Sequence, residues 1–93
     1  MSKLGTFKKT SVDNIRYTID YSEWLIEGEE LDDYEFESDP VGLEVTGAEA
    51  ASGVLTFFVA GGTDAEEYNL KVTVTTDQGQ VRMDYITFTV GDP

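Results

Sequence analysis

The sequence predicts an all-β fold: an antiparallel, immunoglobulin-like β-sandwich of six to seven strands, with one short helical turn near residues 22–26. Three observations carry that expectation. Apolar residues recur with period two along most of the chain. Strand-like runs return at roughly 8- to 15-residue intervals, separated by Gly-rich turns. Helical patterning is nearly absent, and 93 residues make a single domain able to fold without disulfides. The expected division is a basic N-terminal arm, residues 1–11, followed by the sandwich, residues 12–93.

The arm comes first. Lys3, Lys8 and Lys9 are half of the six basic residues, and no other stretch is basic. From residue 15 the alternation begins. IRYTIDY places Ile15, Tyr17, Ile19 and Tyr21 on one face, and Arg16, Thr18 and Asp20 on the other. SEWLI, residues 22–26, is the one helical candidate, with Ser22 as N-cap. Its expected job is to lower Trp24 and Leu25 over an open end of the core.

The stretch from Asp20 to Asp39 holds ten carboxylates and no basic residue. Its aromatics separate it from a disordered acidic tail. Within DYEFES, Tyr34 and Phe36 share one face while Glu35 and Glu37 share the other. Glu27, Glu29, Glu30, Asp32 and Asp33 are assigned to the turn before that strand. The acidic stretch is therefore read as a wet strand face with its loop.

GLEVT, residues 42–46, forms a short strand after Pro40. VLTFFVA, residues 54–60, is another, with Leu55, Phe57 and Val59 inward, and it ends at the breaker Gly61-Gly62. EYNLKVTVTT, residues 67–76, turns Tyr68, Leu70, Val72 and Val74 inward. TDQGQ then supplies a hairpin loop, with Gly79 at a position that needs positive φ. In VRMDYITFTV, residues 81–90, Met83 and Tyr85 fall on the parity opposite to Ile86, Phe88 and Val90. A bulge near Asp84 would reconcile the halves.

Composition excludes whole classes of chemistry. With no Cys and no His, disulfides, thiol chemistry, Cys/His zinc sites and the common nucleophile–base pairs cannot be assembled. A net charge of −13 repels phosphates, so neither nucleic acid nor an anionic membrane is an expected partner of the folded body. No apolar run approaches the roughly 18 residues that span a bilayer. The N-terminus lacks the apolar segment of a secretory signal. No enzymatic activity, no cofactor and no small-molecule substrate is expected.

Two site questions remain open on the residues alone. Asp39, Asp64, Glu66 and Glu67 would be the ligands if clustered loops held calcium, but no DxDxDG loop is present. For partner binding the candidates are Lys3, Phe7, Lys8, Lys9, Trp24 and Phe58. Phe58 stands on the outward parity of its strand, as either an interface anchor or a residue half covered by a loop.

The run FKKTSVDNIRYTIDYSEWLIEGEEL resembles the opening of the fiber-tail adaptor family, small virion proteins of tailed bacteriophages. Lys8 and Lys9, the strand Tyr17 to Tyr21, Ser22-Glu23-Trp24-Leu25 and Gly28-Glu29 carry the likeness. VAGGTDAEEYNLKVTVTTDQGQ continues it, so the resemblance covers roughly residues 7–90. Thr10-Ser11 departs from it, standing where an Asp-Pro-like turn belongs. The resemblance implies a non-enzymatic virion protein that attaches tail fibres to the tail, neck or portal ring. It would act through the arm and the sandwich surface, in several copies around the tail axis, assembled in the host bacterial cytoplasm. The competing class is a capsid-decoration or adhesin-type module, with or without calcium stabilisation. The run from Met1 to Pro93, without a flanking linker, favours the assembly part.

Overall fold

The computed structural model describes the backbone of residues 2–93 and the side chains from Lys3 onward. Seven strands fill the described residues: β1 (Ser2–Lys9), β2 (Ile15–Asp20), β3 (Leu31–Asp39), β4 (Leu43–Ala51), β5 (Val54–Gly61), β6 (Glu67–Thr76) and β7 (Val81–Val90). They form two sheets, β1-β7-β6-β3 and β2-β5-β4. With β1 set aside, these are the two strand sets of an immunoglobulin sandwich. β1 lies in the larger sheet, against β7.

Period-two patterning builds the core as the sequence reads. Leu55, Phe57 and Val59 of β5 face Leu70, Val72 and Val74 of β6 and Ile86 and Phe88 of β7, and all are buried. Burying each large apolar side chain contributes about 1.5–3 kcal/mol, so the inward stripes of β5, β6 and β7 dominate the stability. Tyr21 closes this core at one end, where Trp24 and Leu25 pack against it.

Four local expectations need correction. The single turn expected at residues 22–26 is present but capped differently. Tyr21 O accepts from the N–H groups of Trp24 and Leu25 in a single hydrogen-bonded turn, and Asp20, not Ser22, caps it by accepting from Ser22 N at 2.9 Å. The sandwich is not wholly antiparallel, because β1 pairs with β7 in parallel. β7 carries no bulge near Asp84, and its register with β6 is unbroken from Val81 to Thr89. The strand keeps one parity and turns Asp84 inward, leaving Met83 exposed on the outer face. The irregularity lies opposite, in β1, between Lys3 and Gly5. Finally, Asp32 and Asp33 belong to β3 itself, where a shift between Leu31 and Asp33 leaves Asp32 as the extra residue.

β4 also runs past the expected GLEVT to Ala51. A second bulge between Thr46 and Glu49 lets it continue, with Gly47 at φ 60°. That left-handed conformation suits glycine. The molecule is elongated, 45 × 22 × 18 Å. β1, β3, β5 and β7 end at one pole, where the loops 10–14, 61–66 and 91–93 gather. Loops 21–30, 52–53 and 77–80 gather at the other.

Candidate interaction surfaces

The segment expected as a basic arm contains strand β1, and Met1 lies outside the described residues. Hydrogen bonds to β7 fix it, and Gly91 N donates to Lys9 O beyond the last pair. Among the described residues no strand lies along its opposite edge. Phe7, 42% exposed, lies across the sandwich opening between β1 and β2. Its ring centroid is 5.1 Å from that of Tyr17 and 6.0 Å from that of Phe88. Leu4 and Ile15 are partly exposed beside it, so this edge combines an open backbone ladder with apolar cover.

The lysines of β1 divide by parity. Lys3 and Lys8 are in register with Tyr85 and Thr89, on the outer face of the sheet, and both are exposed. Lys9 points inward and is only 3% exposed. Its Nζ donates to the carbonyls of Gly61 and Thr10, so this ammonium is spent on holding the pole together. Beside it, Ser11 donates through N and Oγ to Asp92, and Asp92 N donates to Asp64 Oδ1. The two bonds from Ser11 hold the Asp92 carboxyl below the usual aspartate range. Thr10-Ser11, the departure from the family pattern, is thus tied to the C-terminal segment.

The other edge strand of the same sheet is the reverse in charge. Asp33, Glu35, Glu37 and Asp39 are in register with Thr75, Thr73, Lys71 and Asn69. All four are exposed on the same outer face that carries Lys3 and Lys8. Among the described residues only Arg82 and Asp84 form an ion pair, and of the basic residues only Lys71, across from Glu37, shares a register position with the acidic edge. Between β3 and β4 the sandwich opens as a groove of about 330 Å³, lined by Phe36, Leu43, Val45 and Leu70 among others. Tyr34 crosses it, donating to Ala48 O at 2.9 Å.

The remaining candidates lie apart from β1. Trp24 is half-buried, its ring 6.0 Å from that of Tyr21 and 5.6 Å below the Arg82 guanidinium. Phe58 is half-buried on the outer face of the smaller sheet, in register with Arg16 and Thr46, and its ring lies over Gly47. The structure therefore groups Lys3, Phe7 and Lys8 along one edge and separates Lys9, Trp24 and Phe58 from them. Among the described residues no three acidic side chains converge as metal ligands. Asp39 and Asp64 lie on opposite sides of this question too: Asp39 is in the acidic edge, and Asp64 is bonded to Asp92 N.

The wet acidic face was legible in the sequence, but its place opposite a basic edge was not. Five carboxylates in nine residues of β3 were visible, but their relation to β1 depends on the sheet order.

Comparison with known proteins gives one family. The model described as "Podophage GP4 fiber-tail adaptor protein gp77" matches residues 9–90. No curated protein matches. Among solved structures, the chain is similar to part of the 2,6-sialyltransferase of Vibrionaceae Photobacterium sp. JT-ISH-224, at 14% identity and a TM-score of 0.49. All of this chain aligns with 18% of that one, and a likeness of this size carries no argument.

Proposed function

The chain belongs to the podophage fiber-tail adaptor family, and from that premise we propose that it fastens fibre proteins to the tail or portal ring as a repeated bridging subunit. Adaptors of this family are structural virion components, not enzymes. The observation that carries the finer reading is the N-terminal strand. β1 offers an open edge with Lys3, Lys8, Leu4 and Phe7 along it, on a body of net charge −13. Such an edge accepts a further strand by backbone hydrogen bonding, with side chains setting the partner.

On this reading the N-terminal segment attaches through the sheet edge that β1 forms. Fibre segments then meet the remaining sandwich surface: the pole that carries Trp24 and the exposed Ile26, and the face that carries Phe58. A 45 Å body with loops at both poles suits a bridge between two layers. Several copies around the tail axis would add weak contacts into firm attachment. Assembly takes place in the host cytoplasm.

Immunogold electron microscopy of particles, with antibody against this domain, tests the reading. Label at the tail–fibre junction is expected. Label over the capsid shell would move the chain to the decoration class. Particles that lack the chain and keep a full set of fibres would end the proposal.

A further inference from the structure

The two edges of the four-stranded sheet complement each other. β1 presents Lys3 and Lys8 on the outer face, and β3 presents Asp33, Glu35, Glu37 and Asp39 on that same face. Three inter-strand spacings separate the two edges, about 14 Å at ~4.8 Å each, so these charges do not pair within one copy. The strands also share a direction. β1 is parallel to β7, β7 antiparallel to β6, and β6 antiparallel to β3, so β1 and β3 run the same way.

We propose that the occupant of the β1 edge is the β3 edge of a second copy of this chain, giving a head-to-tail sheet that runs through successive subunits. A neighbour rotated about an axis along the strands brings its β3 beside β1 in parallel. Both outer faces then stay on one side, and lysines stand across from carboxylates. Charge also rules against the two-fold alternatives. A β3–β3 dimer opposes eight outer-face carboxylates (four from each copy), and a β1–β1 dimer opposes lysines. Heterologous contact is what remains, and such contacts close into rings or extend as filaments. The inference rests on the reading that the β1 edge is an attachment surface, and it names the partner there.

The test uses the full chain and two charge-reversed variants, K3E/K8E and E35K/E37K. All four substituted side chains are exposed, so the fold is retained, and circular dichroism melts check this. Sedimentation velocity over a concentration series should show wild type self-associating at low salt, with association weakening roughly tenfold or more at high salt. Each variant alone should remain monomeric, and an equimolar mixture of the two should associate again. A wild type that is monomeric at every concentration and salt overturns the proposal, as does a mixture that fails to associate. The family-level function is read separately, in particles carrying K3E/K8E. Loss of fibres from those particles, with wild-type self-association unaffected by either reversal, would leave β1 as an attachment edge and refute the second copy as its partner.

Discussion

Glu29 and Thr76 stand 47 positions apart, yet the Thr76 hydroxyl donates a 2.6 Å hydrogen bond to Glu29 Oε2 in a buried contact. Gln80 Nε2 donates to both oxygens of the same carboxylate, at 2.9 and 3.0 Å, and Ile26 N adds a bond of 3.1 Å. The loop between β2 and β3 is thereby locked to the β6–β7 hairpin turn. Asp77 N donating to Glu30 O, and Glu30 N to Asp77 Oδ1, repeat the lock one residue on. The acidic stretch thus contains one carboxylate that is not wet surface at all.

Those donors, Thr76 foremost and then Gln80, hold the Glu29 carboxyl below its ordinary value of 4.5. A depressed carboxylate stabilises the fold fully above the unfolded pKa, and that stabilisation is lost as pH falls through the folded value. The wild-type profile alone is composite, because protonating the exposed acids relieves repulsion from the −13 charge. The difference between wild type and Glu29→Gln isolates the site. The variant should melt lower at pH 7, and the gap should shrink below about pH 4. A gap constant from pH 7 to pH 3, in thermal melts followed by circular dichroism, would contradict this.

Tyr21 is the opposite case. Its ring is buried, its hydroxyl has no hydrogen-bond partner among the described residues, and Asp84, 1% exposed, carries a negative charge nearby. Desolvation first, and Asp84 second, push the phenol up to about 12, against a smaller opposing effect of Arg82. The unfolded phenol ionises near 10, so this group's stabilisation is present below pH 10 and lost as pH rises toward 12. Tyr21→Phe removes no hydrogen bond. Its stability at pH 7, from urea unfolding, should equal wild type or exceed it by up to about 1 kcal/mol. Its loss of stability above pH 10 should be smaller than that of wild type. A variant weaker by 2 kcal/mol or more would mean that the hydroxyl is satisfied.

Adjacent residues of β5 give a direct test of parity. Phe57 is fully buried between the sheets, 4.9 Å from the Phe36 ring, while Phe58 lies half-buried on the outer face. Phe57→Ala should cost about 3–5 kcal/mol through lost burial and the cavity left behind. That is a large share of the roughly 5–14 kcal/mol expected for a domain this size. Phe58→Ala should cost about 1 kcal/mol. Urea denaturation of both variants decides it, and equal losses would refute the assigned faces.

What the sequence made legible follows from locality. β2, β5 and β6 announce themselves by alternation, and Gly79 sits at φ 86° in the hairpin turn, where positive φ was required. β1 did not announce itself, because its partner β7 lies some 80 residues away and Gly5 weakens any local strand signal. The pattern of β7 suggests a bulge near Asp84 because Met83 and Tyr85 are apolar on the parity that faces out. The strand instead runs unbroken and buries Asp84. The clue was Arg82, two positions earlier on the same face, whose Nε donates to Asp84 Oδ2 at 2.9 Å. The Ala-rich half of β4 was passed over because alanine is a poor strand former. The complementary edges were invisible for a different reason: they are a property of sheet order, not of any segment.

If the β1 edge is the attachment surface proposed above, the neighbours Lys8 and Lys9 separate attachment from folding. Both belonged to one basic candidate set, but strand alternation sends them to opposite faces. Lys8 is exposed on the outer face, without an ion-pair partner among the described residues. Lys9 is buried and donates to the carbonyls of Gly61 and Thr10, bridging the end of β5 to the turn that follows β1. Removing Lys9 Nζ leaves two part-buried carbonyls without this donor, so Lys9→Met should cost about 1–3 kcal/mol. Lys8→Met should stay within about 0.5 kcal/mol of wild type. Function should run the other way. Virions assembled with Lys8→Met should lose fibre attachment or copy number while the domain melts normally, and Lys9→Met should act only through reduced stability. Chemical denaturation, paired with quantification of the chain in purified particles, reads both axes. A Lys9→Met protein as stable as wild type would mean that its ammonium is free for a partner and belongs with Lys3 and Lys8 on the attachment edge.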